Sequence, residues 1–174
     1  MLDISVAYNR YKFLGNEFLS WLWYVMEHEP DRLNAVTDDN IQFTIGNRMV
    51  LENAAHNASE TVTIKGDDAG LEEGMLALRK GAFVTELNLM IAEDEKQWQF
   101  TIKGESLNIT GLKVPETGRI ETREDIEGAV LEKIFLYEKI MGWIDAVYAF
   151  FLGVRLSSEW DDVVIPQIKK WILQ

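Results

Sequence analysis

Two histidines and no cysteine are all that this chain offers for soft-metal or nucleophilic chemistry. His28 stands between Glu27 and Glu29, which puts three possible ligands in a row. Consecutive side chains on a helix diverge by roughly 100°, so these three cannot converge on one ion. His56 lies in a polar stretch beside Asn53 and Asn57 and reads as a surface residue. Thiolate-built zinc or iron–sulfur centres have no material here, and a His-based triad has no evident serine partner. Carboxylates are plentiful at Glu72-Glu73, Glu93-Asp94-Glu95 and Asp161-Asp162, but these are turn and helix-start positions, where acids favour free backbone amides. The run Gly66-Asp67-Asp68-Ala69-Gly70 lacks the glycine spacing and the lysine of a phosphate loop, and its own charge repels phosphate. The expectation is therefore no catalytic residue, no metal and no cofactor, and a protein that is not an enzyme.

Binding chemistry has more to work with. Lys65, Lys103 and Lys113 each stand near the end of a predicted strand, and Arg79-Lys80 closes a short predicted helix. Lysines there serve either to guard sheet edges or to contact phosphates, and spacing alone leaves both open. Of the six tryptophans, all but Trp98 fall on predicted helices at apolar spacing, which favours core or protein interface over a base-stacking platform. The first helix and the second half of a long C-terminal helix carry more apolar circumference than one core-facing stripe needs. Trp21, Trp23, Trp143, Val147 and Phe150 are the interface candidates on that ground, and the chain is expected to associate as a homo-oligomer or with a partner.

The elements that must position these residues follow from periodicity. Leu14, Phe18, Trp21, Leu22 and Val25 predict a helix over about 16–28, with Pro30 beyond its end. Ile41, Phe43 and Ile45 alternate with polar residues, and Gly46-Asn47 reads as a two-residue turn into a second strand, Arg48–Leu51. A polar loop over Asn53–Glu60 precedes a strand at Val62 and Ile64. Asp67 or Asp68 then caps a short helix through Met75 to Gly81. Thr85–Ile91 and Trp98–Ile102 form the clearest hairpin, and Leu107–Val114 a last strand or pair with Gly111 marking a turn or bulge. Thr122 and Asp125 form a capping arrangement for a long helix whose apolar residues recur at threes and fours from Ile126 to Phe151, with Gly153 able to end it. A final helical segment capped by Ser157 or Ser158 contains Pro166, which must kink it or begin a new helix. The fold class is α+β: a largely antiparallel sheet over about 40–115 with a short inserted helix, flanked by an N-terminal helix and a helical part over about 122–174. The 174 residues read as one domain.

Net charge is −12, from 29 acidic against 17 basic residues, which opposes non-specific attraction to a polyanion unless basic residues segregate to one surface. The most apolar stretch, Ile134–Leu152, is interrupted by Glu138, Lys139 and Asp145, which argues against a membrane span. With no basic-then-apolar leader at its start, the expected location is cytoplasmic, where Asn57-Ala58-Ser59 and Asn108-Ile109-Thr110 carry no glycan.

From about Ile41 to Val114, and more loosely to Leu152, the chain resembles the central and C-terminal part of RdgC, the bacterial recombination-associated DNA-binding family. The resemblance is carried by Leu51, Val62 with Lys65, the short helix to Gly81, Thr85-Glu86-Leu87-Asn88-Leu89, Gln99-Phe100 and Leu112-Lys113-Val114, in the family's order. Ala82 stands where the family commonly has lysine, and Thr110-Gly111 replace a basic pair. The resemblance implies a DNA-associated accessory protein of recombination or replication that binds duplex without sequence preference. Lys65, Lys103 and Lys113 would be its phosphate contacts, with Arg79 and Lys80 as further candidates from local sequence. RdgC chains are longer, so the resemblance also implies an oligomer or a partner chain supplying the counterpart of the family's N-terminal half. The alternative is a protein–protein interaction or scaffold domain with no nucleic-acid partner.

Overall fold

Alternating apolar residues make four long strands here, and helical periodicity makes the layer that covers one of their faces. The computed structural model describes residues 13–37, 39–55, 58–66, 70–118 and 121–174. In chain order the elements are α1 (Phe13–His28), α2 (Pro30–Thr37), β1 (Gln42–Ala55), β2 (Ala58–Lys65), α3 (Gly70–Arg79), β3 (Phe83–Glu93), β4 (Lys96–Lys103), β5 (Asn108–Lys113), α4 (Arg123–Arg155), one π turn (Trp160–Val164) and α5 (Ile165–Ile172). The strands form one five-stranded sheet in the order β2-β1-β3-β4-β5, antiparallel at every pairing. This is the α+β arrangement expected, with the N-terminal helix and the long C-terminal helix in place.

The core lies between the sheet and the helices. Met49, Leu51, Ile64, Leu87, Leu89, Ile91, Trp98, Phe100 and Ile102 point into it from the strands, and Phe18, Trp21, Leu22, Trp23 and Val25 meet them from α1. The approach of α1 to the β4–β5 turn is close enough that a Cβ on Gly15 would lie 1.7 Å from the Gly104 carbonyl oxygen. The Trp98 indole N–H donates to the Leu136 carbonyl at 3.1 Å, pinning α4 to the sheet where its buried half begins.

Three local readings are corrected. Gly46-Asn47 does not turn the chain: β1 runs straight through it, and the register with β3 jumps from Ile45↔Leu89 to Met49↔Leu87, so the segment is a bulge. The hairpin instead joins β1 to β2, pairing Ala55 with Ala58 across what reads in sequence as a polar loop. Pro30, expected only as a stop, begins α2, where its missing N–H costs nothing and its fixed φ suits a first turn. α4 passes Gly153 and ends at Arg155. The last segment is capped by Ser157, whose hydroxyl accepts from the Glu159 N–H at 3.2 Å. It is wound as a π turn, with the Ile165 N–H reaching back to the Trp160 carbonyl, just before Pro166 enters α5. The capping box of Thr122 and Asp125 and the bulge at Gly111, whose φ is +63°, stand as read. His56 and the proposed cap Asp67 or Asp68 lie outside the described residues. Among the described residues no single helix is long and apolar enough to cross a membrane.

Candidate nucleic-acid interface

The helices cover one face of the sheet and leave the other open. Because side chains alternate along a strand, the inward sets on β2, β3 and β4 leave Thr61, Thr63 and Lys65, Glu86, Asn88 and Met90, and Gln97, Gln99, Thr101 and Lys103 on that open face. Registers then decide which charges meet. Lys65 pairs with Arg48, Glu86 with Lys103, and Gln99 with Lys113. Lys65–Arg48 and Glu86–Lys103 consequently form a stepped row across four neighbouring strands, the two pairs offset by two residues because Glu86 stands opposite Val50. Lys113 lies on the same face, displaced along β4 by the four positions from Lys103 to Gln99.

Within the row Glu86 holds the cations apart and oriented. Its carboxylate forms ion pairs with Arg48 Nη2 at 3.1 Å and with Lys103 Nζ at 3.9 Å. Lys65 and Lys113 are exposed, and Arg48 and Lys103 keep about half of their side chains in water, at 47% and 49%. Val50 is buried under these side chains yet stands apart from the main core, as a residue on the opposite face should.

One polar side chain fixes the platform. Asn88 is buried and makes four hydrogen bonds: Nδ2 donates to the Phe100 carbonyl at 3.0 Å and the Thr101 hydroxyl at 2.9 Å, and Oδ1 accepts from Asn47 N–H at 3.2 Å and Gln99 Nε2 at 3.1 Å. The bulge of β1 exists around this amide. A Cβ on Gly46 would sit 1.9 Å from Asn88 Oδ1, so glycine is required for space and not for a left-handed backbone. In the bulge the three residues Gly46 to Arg48 stand against Asn88 alone, and they leave Arg48 opposite Lys65 and two residues before Val50, the partner of Glu86.

The structure thus gathers Lys65, Lys103 and Lys113 on one surface and separates the other two cations from them. Arg79 Nε donates to the Ile172 carbonyl at 2.7 Å, tying α3 to the end of α5 within the helical layer. Lys80 follows in the turn to β3, where its carbonyl accepts from Asn53 Nδ2 at 3.1 Å. Neither belongs to the open face. Arg48 was missed because its role depends on the β1–β2 pairing, which the Gly46-Asn47 dipeptide disguises.

The interface candidates are also relocated. Trp21, Trp23 and Val147 are wholly buried in the chain's own core, Trp143 nearly so, and Phe150 is half-buried beneath Arg32, whose guanidinium lies 5.1 Å from its ring centroid. The apolar surplus is exposed one half-helix earlier, at Ile126, Val130, Leu131, Ile134, Phe135, Tyr137 and Met141 of α4. Among the described residues no group of three metal-ligating side chains comes together. A cavity of about 220 Å³ beside the β1 bulge is walled by Met26, Phe43, Ile45, Met49 and Ile64, with Glu27, Thr44 and Arg48 also lining it. Compared with protein-family models, curated proteins and solved structures, the chain finds no match.

Proposed function

We propose that this chain is a non-enzymatic, DNA-associated accessory module that contacts the backbone of duplex DNA through the open face of its sheet. The observation that carries the reading is the row of Lys65, Arg48 and Lys103, with Lys113 on the same face, on a protein whose net charge is −12. Segregated cations are what allow an acidic protein to approach a polyanion. The collinear likeness of residues 41–114 to RdgC points the same way. Lysine, threonine and glutamine side chains on a flat surface satisfy phosphate oxygens without reading base edges, so binding is expected to be independent of sequence.

The test is a gel-shift or fluorescence-anisotropy titration with duplex at low salt, comparing the unmodified chain with Lys65→Glu, Lys103→Glu, Lys113→Glu. The variant should keep its far-UV spectrum and melting temperature and lose binding. No binding by the unmodified chain at low salt, alone or with a partner chain present, would overturn the reading. A second reading, an assembly domain with no nucleic-acid partner, is favoured by the exposed apolar side chains of α4 and gains the field if that titration is flat.

A further inference from the structure

The first half of α4 is a formed helix on most of whose circumference nothing packs among the described residues. Ile126, Val130, Leu131, Ile134, Phe135, Tyr137 and Met141 are each between 39% and 61% exposed, and burial begins at Leu136 and Ile140 on another side. Residues 123–141 span about 28 Å at the helical rise, a length that a lone apolar helix does not hold in water without a partner. Yet its start is built to be stable. The Thr122 hydroxyl accepts from the Asp125 N–H, and the Asp125 carboxylate accepts from the Thr122 N–H at 2.7 Å. A helix capped before it is packed has already met the ordering cost of docking.

Spacing identifies what it docks with. Val130, Ile134, Tyr137, Met141, Ile144, Tyr148 and Phe151 repeat at four and three, the heptad seam of helix-on-helix packing. The seam's later members are filled within the chain: Ile144 and Phe151 are buried and Tyr148 stacks edge-on against Phe18. Its earlier members are open, so the missing element is a helix with a matching seam.

We infer that the helix is a second copy of this arm, so that the protein pairs through residues 126–141 of α4 about a two-fold axis near Ile134. Two features favour a copy over a foreign helix. Ile126, Val130, Ile134, Tyr137 and Met141 lie along one side of the helix and, at about 100 Å² exposed each, offer about 500 Å² per partner, which reaches the ~1,000 Å² total of a small specific interface. Between Ile126 and Met141 the helix carries Glu127, Glu132, Lys133, Glu138 and Lys139, a net charge of −1 in a chain of −12, so two copies meet there with little like-charge penalty. The inference stands apart from the DNA reading, because it is measured with no DNA present.

Light scattering or sedimentation of the full chain at micromolar concentration should give twice the chain mass. Val130→Glu, Ile134→Glu should give one chain mass and a melting temperature that is lower and no longer rises with protein concentration, while the near-UV signature of the core is kept, since both side chains are exposed within the chain. The absence of cysteine allows a direct probe: Ile134→Cys, mildly oxidised, should run at double mass on a non-reducing gel, while Glu95→Cys in the β3–β4 turn should not. A monomer throughout, a dimer that survives the Val130→Glu, Ile134→Glu pair, or equal cross-linking at both cysteines would each overturn the proposal.

Discussion

Asn88 and Gly46 form a lock between β1 and β3, and a lock of two parts gives non-additive effects. Asn88→Ala leaves the Asn47 N–H and the Gln99 amide without their acceptor, and should cost about 1–3 kcal/mol in chemical denaturation. Gly46→Ala drives a methyl into the same amide oxygen and should cost a similar amount. In the double variant the methyl has nothing to strike, so the combined loss should fall short of the sum of the single losses; simple additivity would refute the coupling. The same pair shows where sequence reading runs out. A Gly-Asn dipeptide between alternating apolar residues has the composition of a tight turn, and only the long-range contact with Asn88 makes it a bulge. Lys65, Lys103 and Lys113 were legible because strand-end lysines follow from local alternation, whereas Arg48 needed the correct hairpin.

Among the elements, α4 carries the most consequence. Two apolar rows are readable along it, but which row meets the core depends on where the sheet ends. The structure buries Leu136, Ile140, Trp143 and Val147 and leaves Val130, Ile134, Tyr137 and Met141 in solvent. Its cap makes it pH-sensitive. Hydrogen bonds from the Thr122 hydroxyl, then from the Thr122 and Glu121 amides, hold the Asp125 carboxyl below its ordinary value. A depressed carboxylate contributes its stabilisation above the unfolded-state value and loses it as pH falls through the folded one. Helical circular dichroism should therefore be level at neutral pH and decline on acidification below roughly pH 4, the ordinary carboxylate range. Asp125→Asn should start lower and lose that step. At the other end of the helical layer, Glu27 accepts from two indoles, Trp23 Nε1 at 2.5 Å and Trp171 Nε1 at 3.1 Å, joining α1 to α5. Because Glu27 is partly in water, Glu27→Ala should cost about 1–2 kcal/mol by denaturant melting, with the α5 amides exchanging first. Sequence offered only Glu27-His28-Glu29 as a false ligand set; the clamp needs the final helix folded back.

For the whole molecule, fold class and the β3–β4 hairpin were legible, because local periodicity fixes them, whereas α2 and the single long β1 were not. Sheet order, with β3 central and β1 between β2 and β3, was not either, since it rests on pairings between distant segments. Charge is distributed at the same scale. With about four phosphate contacts on the open face, duplex affinity should fall on the order of a hundredfold between 50 and 200 mM salt. An anisotropy series across that range checks it, and an affinity indifferent to salt would exclude backbone contact as its source. The burial of all six tryptophans, each no more than 6% exposed, has an optical corollary. Native emission should be that of indoles shielded from water, shifting red only when the layers separate. Edge-on pairs such as Trp98–Trp143 and Trp23–Trp171, with centroids 5.0 and 5.1 Å apart, share excitation between the sheet and the helices and between α1 and α5. No indole lies on the open face or on the arm, whose exposed aromatic residues are Phe135 and Tyr137. The protein's intrinsic fluorescence is therefore a gauge of its interior alone: it should stay constant while DNA or a second copy binds, leaving extrinsic dyes to report those events.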